Sequence, residues 1–524
     1  MIFGFNDRQP GSERLGTFLG VFTPTILTIL GVILFMRTGW VLGNVGLAGA
    51  LAIVAVAHAI TISTALSVSA IATNMKVGAG GAYFIISRSL GLEIGGAVGI
   101  PLFLAQTLSV TLYAFGLAES LRMVWADIPI QPAAALIVVA VSFISGRSAK
   151  AALKAQIPIM IAIAVALGSL LVGIAGSEAP LLAATPIPQN TPVIPFWAVF
   201  AVFFPAVTGL MAGISLSGDL KTPERSIPLG ALSAVLLGFA VYIIIPIALS
   251  LGSDEATLRT DNLIWFKMAA VPLLIYPGIW GAIFSSAVGS MLGAPRTLEA
   301  LGEDRVAPAI FKRRALDPSS KPRMGAAHLL STGIALAAVG LGNLDAVAPV
   351  LTMFFLTTYG IINLVAGLEK LSGAPSYRPT IDVHWLVSIG CFLACLAVML
   401  LIAPLWCAVA VLVELTIYFW LRRRSLKSSW GDLRYGALIA LVRTALLGIK
   451  RLPVSPRNWR PHILLFAGEL IKRKELARLA SWLNQDRGII TVMRLIGGDF
   501  DELAERREQL EAELNQELND QEIS

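Results

Sequence analysis

The chain has 524 residues, of which 56% are hydrophobic and only 14% charged, with a mean hydropathy of +0.76. A soluble domain carries roughly 25% charged residues, so lipid must replace water around most of this chain, and one large soluble core is excluded. The net charge of +7 does not point to nucleic acid, because the basic residues fall in short loops, where the positive-inside rule accounts for them.

The N-terminus is polar through Arg14, and no small-residue cleavage pattern follows the first apolar stretch, so a removable signal peptide is not expected. Apolar stretches near the roughly 20 residues that span a bilayer then recur. They predict twelve transmembrane helices over 17–36, 47–72, 94–119, 132–146, 152–176, 195–217, 228–251, 271–295, 325–341, 344–367, 384–403 and 404–422, with Pro404 at the break between the last two. Sixteen Lys and Arg residues lie in one set of alternate loops against four (Arg37, Arg122, Arg259 and Lys267) in the other. That asymmetry predicts a multi-pass protein of the inner (plasma) membrane with both termini in the cytoplasm.

The three cysteines, Cys391, Cys395 and Cys407, all fall in the last two apolar spans, which argues against a disulfide framework or a zinc site. Beyond residue 423 the composition changes. Residues 462–467 read as a buried strand, 469–485 as an amphipathic helix and 489–496 as a second strand, a small α/β unit. Residues 501–519 read as an acidic, solvated tail helix, with packing on this unit or on a second subunit as the alternative. The expected organisation is a cytoplasmic tail (1–14), a transmembrane domain (15–425), a linker (426–457) and a partial cytoplasmic α/β domain with a C-terminal helix (458–524).

The first and sixth spans share a local pattern. The first runs Pro24-Thr25-Ile26-Leu27-Thr28-Ile29-Leu30-Gly31, and the sixth runs Pro205-Ala206-Val207-Thr208-Gly209-Leu210-Met211. Each places a proline, a threonine and a glycine mid-span. Proline removes a backbone donor and frees a carbonyl, and glycine lets the chain unwind. Spans that are interrupted at matching positions, five helices apart, mark the substrate site of a transporter built from inverted repeats. The fold class expected is therefore an all-α membrane protein with a five-plus-five inverted repeat and discontinuous helices 1 and 6. Unwound carbonyls suit cations, and half-helix N-termini suit anions.

Few buried polar side chains are available to such a site: Thr28, Tyr113, Thr208, Ser285, Ser286 and Tyr359 lie in or near apolar spans. No Asp or Glu lies in the middle of the first, sixth or eighth span. Carbonyls and hydroxyls alone suit Na⁺ or K⁺ with a co-bound anion to balance the charge. Two ionisable residues within spans, His58 and Glu414, read as neutral groups packed against the bundle or a dimer partner.

The stretches GVILFMRTGWVLGNVG (31–46), SVSAIATNMKVGAGGAYFIISRSLGLEIGGAVG (67–99), TLYAFGLAE (111–119), FFPAVTGLMAGISLSGDL (203–220), SSAVGSMLGAPRTLEAL (285–301) and YGIINL (359–364) together resemble the cation–chloride cotransporter family, within the amino-acid–polyamine–organocation superfamily. The resemblance covers residues 15–425, and NWRP (458–461) matches the opening of the family's cytoplasmic domain. It implies a K⁺ site made by the carbonyls of Thr28, Ile29 and Pro205, the Thr208 hydroxyl and the Tyr113 phenol. It implies a Na⁺ site made by the carbonyls of Leu27, Leu30 and Ala282 with the hydroxyls of Ser285 and Ser286. One chloride would rest on the amides of Gly31, Val32 and Ile33. A second would rest on those of Gly209, Leu210 and Met211, with the Tyr359 hydroxyl. Arg37 and Glu119 match a pair that gates the external side. Thr28 stands where relatives usually carry Asn, and Leu30 where they carry Trp.

The resemblance thus implies an electroneutral symporter that couples Na⁺ and/or K⁺ to Cl⁻ by alternating access. No enzyme activity and no cofactor are implied. The bilayer and inorganic ions are the expected partners, with a homodimer as a candidate assembly. No GxxxxGK[ST] phosphate loop is present, so ion gradients rather than ATP would drive it. The alternative on the same scaffold is an amino-acid permease.

Overall fold

The computed structural model describes residues 14–524 apart from 148, 177–193, 262, 313–323, 343–347, 374–375, 425–432, 452–460, 467, 469–472, 486, 496, 498–508, 515 and 517–524. All but Arg14 of the expected N-terminal tail, and most of the expected helix over 501–519, lie outside these residues. The chain divides into two compact units, Met1–Ala440 and Leu441–Ser524.

Among the described residues of the first unit, eleven helices are long and apolar enough to cross a bilayer, and the shorter Ala326–Leu341 joins them. In chain order the twelve are Phe18–Met36, Thr38–Asn74, Leu92–Leu121, Ile130–Arg147, Ala152–Ala175, Phe196–Asp219, Pro223–Gly252, Pro272–Glu303, Ala326–Leu341, Leu351–Ser372, Trp385–Ile402 and Pro404–Arg423. They are called spans 1 to 12 below.

Burial separates the bundle's centre from its rim. The apolar windows of spans 1 and 6 are 78% and 83% buried, whereas that of span 12 is 17% buried. Spans 1 and 6 are therefore wrapped by protein, and span 12 offers most of its surface to lipid. The packing repeats at an interval of five: span 2 lies along span 7, span 3 along span 8, and span 1 meets the second piece of span 6. That is the pairing expected of two five-helix repeats.

Two boundaries differ most from the hydropathy reading. Span 2 begins at Thr38 rather than 47, because the helix continues through a kink at Gly46, whose φ of 69° belongs to the left-handed region that glycine tolerates. Span 8 runs on to Glu303 rather than ending at 295, because Arg296, Glu299 and Glu303 interrupt the apolar run without ending the helix. The extension has a structural use. Arg296 donates through Nη2 and Nε to one oxygen of Asp219 at the end of span 6, at 2.7 and 3.2 Å. Just past its end, Asp304 receives Arg88 through both oxygens, at 2.7 and 2.9 Å, and also the Tyr83 hydroxyl at 2.7 Å. Arg88 and Tyr83 belong to the helix Ala82–Leu90 that joins spans 2 and 3. Burial, reinforced by the Asp304 charge, pushes the Tyr83 phenol far above its ordinary range, so it stays protonated and donates to Asp304.

In the second unit, strand β1 (His462–Phe466) pairs in parallel with β2 (Ile489–Met493), with His462 opposite Ile489. A parallel pair needs a crossover, and the helix Lys474–Asn484 supplies it. Its Ala477 packs against Leu465, Val492 and Leu514, so Leu514 joins this unit rather than standing in solvent as expected. The stretch expected as a linker carries the helix Leu433–Arg451.

The Arg88–Asp304 pair has side chains only 13% and 14% exposed. Removing one member of a pair this shielded leaves a charge that water reaches poorly. Asp304→Asn should therefore lower the stability of the detergent-solubilised protein by about 2–3 kcal/mol, read as a fall in Tm; an unchanged Tm would show that the pair is solvated.

Candidate functional site

Span 1 consists of two helical pieces. The first ends at Ile29. Leu30 (φ −83°, ψ 39°) and Gly31 (φ −85°, ψ −154°) then leave the helix, and the second piece starts at Val32. A helix end leaves its last carbonyls and its first amides without intrahelical partners. The break therefore frees acceptors at residues 27–30 and donors at residues 31–33, face to face.

Span 6 breaks differently. The helix Phe196–Phe203 tightens into a 3₁₀ turn at Phe204–Val207, passes through Thr208 and Gly209, and resumes at Leu210–Ile214. Pro205 lies in the tight turn, where its missing N–H costs nothing. The Met211 amide already bonds the Thr208 carbonyl at 3.4 Å, so the expected group Gly209, Leu210 and Met211 keeps fewer free donors than Gly31, Val32 and Ile33.

The two breaks touch. A Cβ on Gly209 would lie 2.8 Å from the Ile29 nitrogen and 2.9 Å from the Thr25 carbonyl oxygen, so only glycine admits this approach. A Cβ on Gly31 would lie 2.8 Å from the Ser286 hydroxyl and 3.0 Å from the Thr28 carbonyl. Residues from spans 1, 6 and 8 thus converge at one buried locus.

Within it, side-chain hydroxyls and backbone carbonyls are already paired with one another. Thr28 turns its hydroxyl back to Pro24 at 2.7 Å, which leaves only its carbonyl facing outward from the helix end. Thr208 donates to the Pro205 carbonyl at 2.8 Å, so its hydroxyl lone pairs remain open. Ser285 and Ser286 both donate to the Ala282 carbonyl, at 3.0 and 2.9 Å. Ser286 also reaches across to the Leu27 carbonyl of span 1 at 3.3 Å. The structure therefore gathers Leu27, Ala282, Ser285 and Ser286 into one cluster, with Leu30 buried beside them.

Tyr359, on span 10, is fully buried, and its hydroxyl has no partner among the described residues. Its ring stands edge-on to Phe204, at 6.4 Å, at the start of the span 6 turn. The Tyr113 phenol of span 3 is buried as well and lies within electrostatic reach of the Tyr242 and Tyr359 hydroxyls. Arg37 and Glu119 do not form an ion pair among the described residues; Arg37 is half-buried and Glu119 exposed.

Several residues at or near this locus escape a hydropathy reading. Tyr242 of span 7 donates to the Ile29 carbonyl at 2.9 Å. Gln156 of span 5 donates to the Ser285 carbonyl at 3.5 Å, and its own amide oxygen is buried without a partner among the described residues. Asn363, one turn from Tyr359, donates to Thr64 at 2.8 Å and to the Tyr359 carbonyl at 2.9 Å, and receives Ser67 at 2.8 Å. The signal for all three was a single polar residue inside an apolar span, which cannot be told from a lone back-bonding residue without knowing its neighbours. His58 bonds the Val54 carbonyl at 3.0 Å and leaves Nε2 unpartnered; Glu414 is half-buried with Oε1 unpartnered. The three cysteines are free thiols, and no cluster of three or more His, Cys, Asp or Glu occurs among the described residues.

Two discontinuous helices crossing inside a bundle of apolar spans, around a locus of oxygens and free amides, define a multi-pass membrane transporter rather than an enzyme. The amino acid permease family model matches residues 20–465, and the chain belongs to that family. It is 31% identical over 544 residues to solute carrier family 12 member 9 of Mus musculus, covering 94% of this chain and 59% of that protein. It is 30% identical over 561 residues to cation-chloride cotransporter 1 of Oryza sativa subsp. japonica, covering 94% of this chain and 56% of that one. The chain thus spans less than two thirds of either relative. Among solved structures, the crystal structure of the Eremococcus coleocola manganese transporter in complex with an aromatic bis-isothiourea substituted compound is similar in fold, with a TM-score of 0.50 at 13% identity, over 82% of this chain and 95% of that one.

Asn363 ties span 10 to span 2 beside the locus. Interhelical hydrogen bonds in membranes average about 0.6 kcal/mol each, and Asn363→Leu removes two of them, to Thr64 and from Ser67. The expected loss of stability is about 1 kcal/mol, measured by thermal unfolding in detergent, because Thr64 keeps the Ile60 carbonyl and Ser67 keeps Ser388; a loss several times larger would show that the network acts as a unit.

Proposed function

We propose that the chain is a secondary symporter that carries Na⁺ and/or K⁺ together with Cl⁻, electroneutrally, by alternating access. The observation that carries this reading is the chemistry of the locus where spans 1 and 6 break. It offers carbonyls, hydroxyls and free amides, and no carboxylate among its described residues. Carbonyl and hydroxyl oxygens replace the hydration shell of an alkali ion. Amides at the start of a half-helix form a nest for an anion. A cation in such a site lacks a fixed counter-charge, and a halide a few ångströms away supplies it.

In this reading K⁺ takes the carbonyls of Thr28, Ile29 and Pro205 with the Thr208 and Tyr113 hydroxyls. Na⁺ takes the carbonyls of Leu27, Leu30 and Ala282 with Ser285 and Ser286. Ser286 can release Leu27 for an arriving ion, because its proton retains Ala282 as an acceptor. One chloride rests on Gly31, Val32 and Ile33. The other rests on Gly209, Leu210 and Met211 and accepts from the Tyr359 hydroxyl, whose buried, unpartnered state supports an occupant there. A buried polar group without a partner costs about 1–3 kcal/mol, and a bound anion would recover that. Both termini lie in the cytoplasm. Arg37 and Glu119 come together when the outer side closes. The relatives' printed names, which include cation-chloride cotransporter, favour the same reading.

A second reading is supported by the family model itself, whose description is amino acid permease. An amino-acid carboxylate would then occupy the amides of Gly31, Val32 and Ile33.

Flux into proteoliposomes separates the two. Uptake of radiolabelled chloride should require an alkali cation, and uptake of Rb⁺ should require chloride. Amino-acid uptake indifferent to chloride would replace the first reading with the second. Ser286→Gly should abolish Na⁺ dependence while leaving Rb⁺ and Cl⁻ binding within about twofold; intact Na⁺ dependence would remove the proposed Na⁺ site. Tyr113→Phe should weaken Rb⁺ by about tenfold, the value of one hydroxyl ligand near 1.4 kcal/mol, and chloride far less.

A further inference from the structure

Ile29 is the last residue of the first piece of span 1, and the unwinding at Leu30 and Gly31 strips its carbonyl of a helical partner. The carbonyl is nonetheless occupied. Tyr242, in the middle of span 7, is fully buried and donates its hydroxyl to this oxygen at 2.9 Å. The phenol ring is held on two sides. Phe203 meets it edge-on at 5.1 Å, and His58 lies 5.7 Å away, itself anchored through the Val54 carbonyl. Phe203 is the last residue of the helix that leads into the span 6 turn. A single buried phenol thus links the unwound end of span 1 to the helix that delivers Pro205 and Thr208.

Its contact differs from the other hydroxyl contact to span 1. Ser286 shares its proton between the carbonyls of Leu27 and Ala282 and can give up the first. Tyr242 donates to Ile29 alone among the described residues, and its ring is buried against Phe203 and His58. A carbonyl oxygen has two lone pairs. With one engaged by the phenol, the second remains for an ion, with its orientation fixed and its electron density reduced. The field strength and number of coordinating oxygens are terms that discriminate K⁺ from Na⁺. A weaker, fixed oxygen disfavours the small, strongly hydrated Na⁺ more than the larger K⁺.

We propose that Tyr242 is a positioning and selectivity residue, whose hydroxyl holds the Ile29 carbonyl at the orientation and field strength that favour K⁺ over Na⁺. The inference rests on reading Thr28, Ile29, Pro205, Thr208 and Tyr113 as the K⁺ site.

The test compares the full-length wild-type and Tyr242→Phe chains in proteoliposomes, with Rb⁺ as the K⁺ probe. The Phe variant should retain the maximal rate within about twofold. Its half-saturating Rb⁺ concentration should rise about three- to tenfold, the effect of one hydrogen bond. Na⁺ should compete with Rb⁺ uptake more strongly than in the wild type, and the half-saturating chloride concentration should not move. Unaltered Rb⁺ affinity and Na⁺ competition would overturn the inference. Equal losses for Rb⁺ and chloride would do so too, since they would mark a general packing defect. Phe203→Leu, which loosens the ring but keeps the hydroxyl, should give a smaller change in the same direction, and it carries the test if the Tyr242→Phe chain does not fold; wild-type selectivity in it would then overturn the inference. A wild-type chain whose uptake ignores Rb⁺ sinks the K⁺-site reading and this inference with it, whereas coupled wild-type uptake with unchanged selectivity in Tyr242→Phe sinks the inference alone.

Discussion

A peptide carbonyl that loses its helical partner inside a bilayer has no water to turn to, and this constraint organises the centre of the bundle. Every helix that breaks in hydrocarbon must have its freed groups met by protein or by a cavity's occupants. Span 1 breaks at Leu30 and Gly31, and span 6 at Phe204–Gly209, so the molecule must supply partners for both at one depth. Tyr242 meets Ile29, Ser286 meets Leu27, and Thr208 meets Pro205. The Tyr359 hydroxyl, by contrast, has no partner among the described residues.

The surrounding architecture follows from shielding that centre. Spans 2, 3, 7 and 8 pack in the paired manner of a repeated five-helix unit, and spans 1 and 6 sit between them. At one end of this bundle the charged extension of span 8 grips Asp219 through Arg296, while Asp304 grips Arg88 and Tyr83. Arg37 and Glu119 are meanwhile apart. Charge-assisted contacts thus tie the extension of span 8 to its neighbours.

The absence of carboxylates at the described locus bears on which cargo can stay there. A fixed charge holds one ion of opposite sign strongly and independently of others. A locus built from dipoles holds a cation and an anion best when both are present, because each reduces the desolvation cost of the other. In the symport proposed above, coupling would then arise from the composition of the site, without any separate coupling element.

Much of this was legible in the residues alone. Apolar run length set the number of spans, because the bilayer's thickness sets a minimum and charged loops or, between the last two, Pro404 end each run. The Pro–Thr–Gly pattern located both breaks, because those residues act on the backbone they belong to. Local chemistry could not place the helix ends: span 8 runs past Arg296 and span 2 begins before Gly46, since a helix tolerates charge and a kink once tertiary partners await. Nor could it find Tyr242, Gln156 or Asn363, each one polar residue in an apolar run, whose meaning depends on which carbonyl or hydroxyl another helix brings within 3.5 Å. Sequence determined where the backbone would open. Only the tertiary structure decided which freed groups are already satisfied, because that answer lies in helices distant along the chain and adjacent in space.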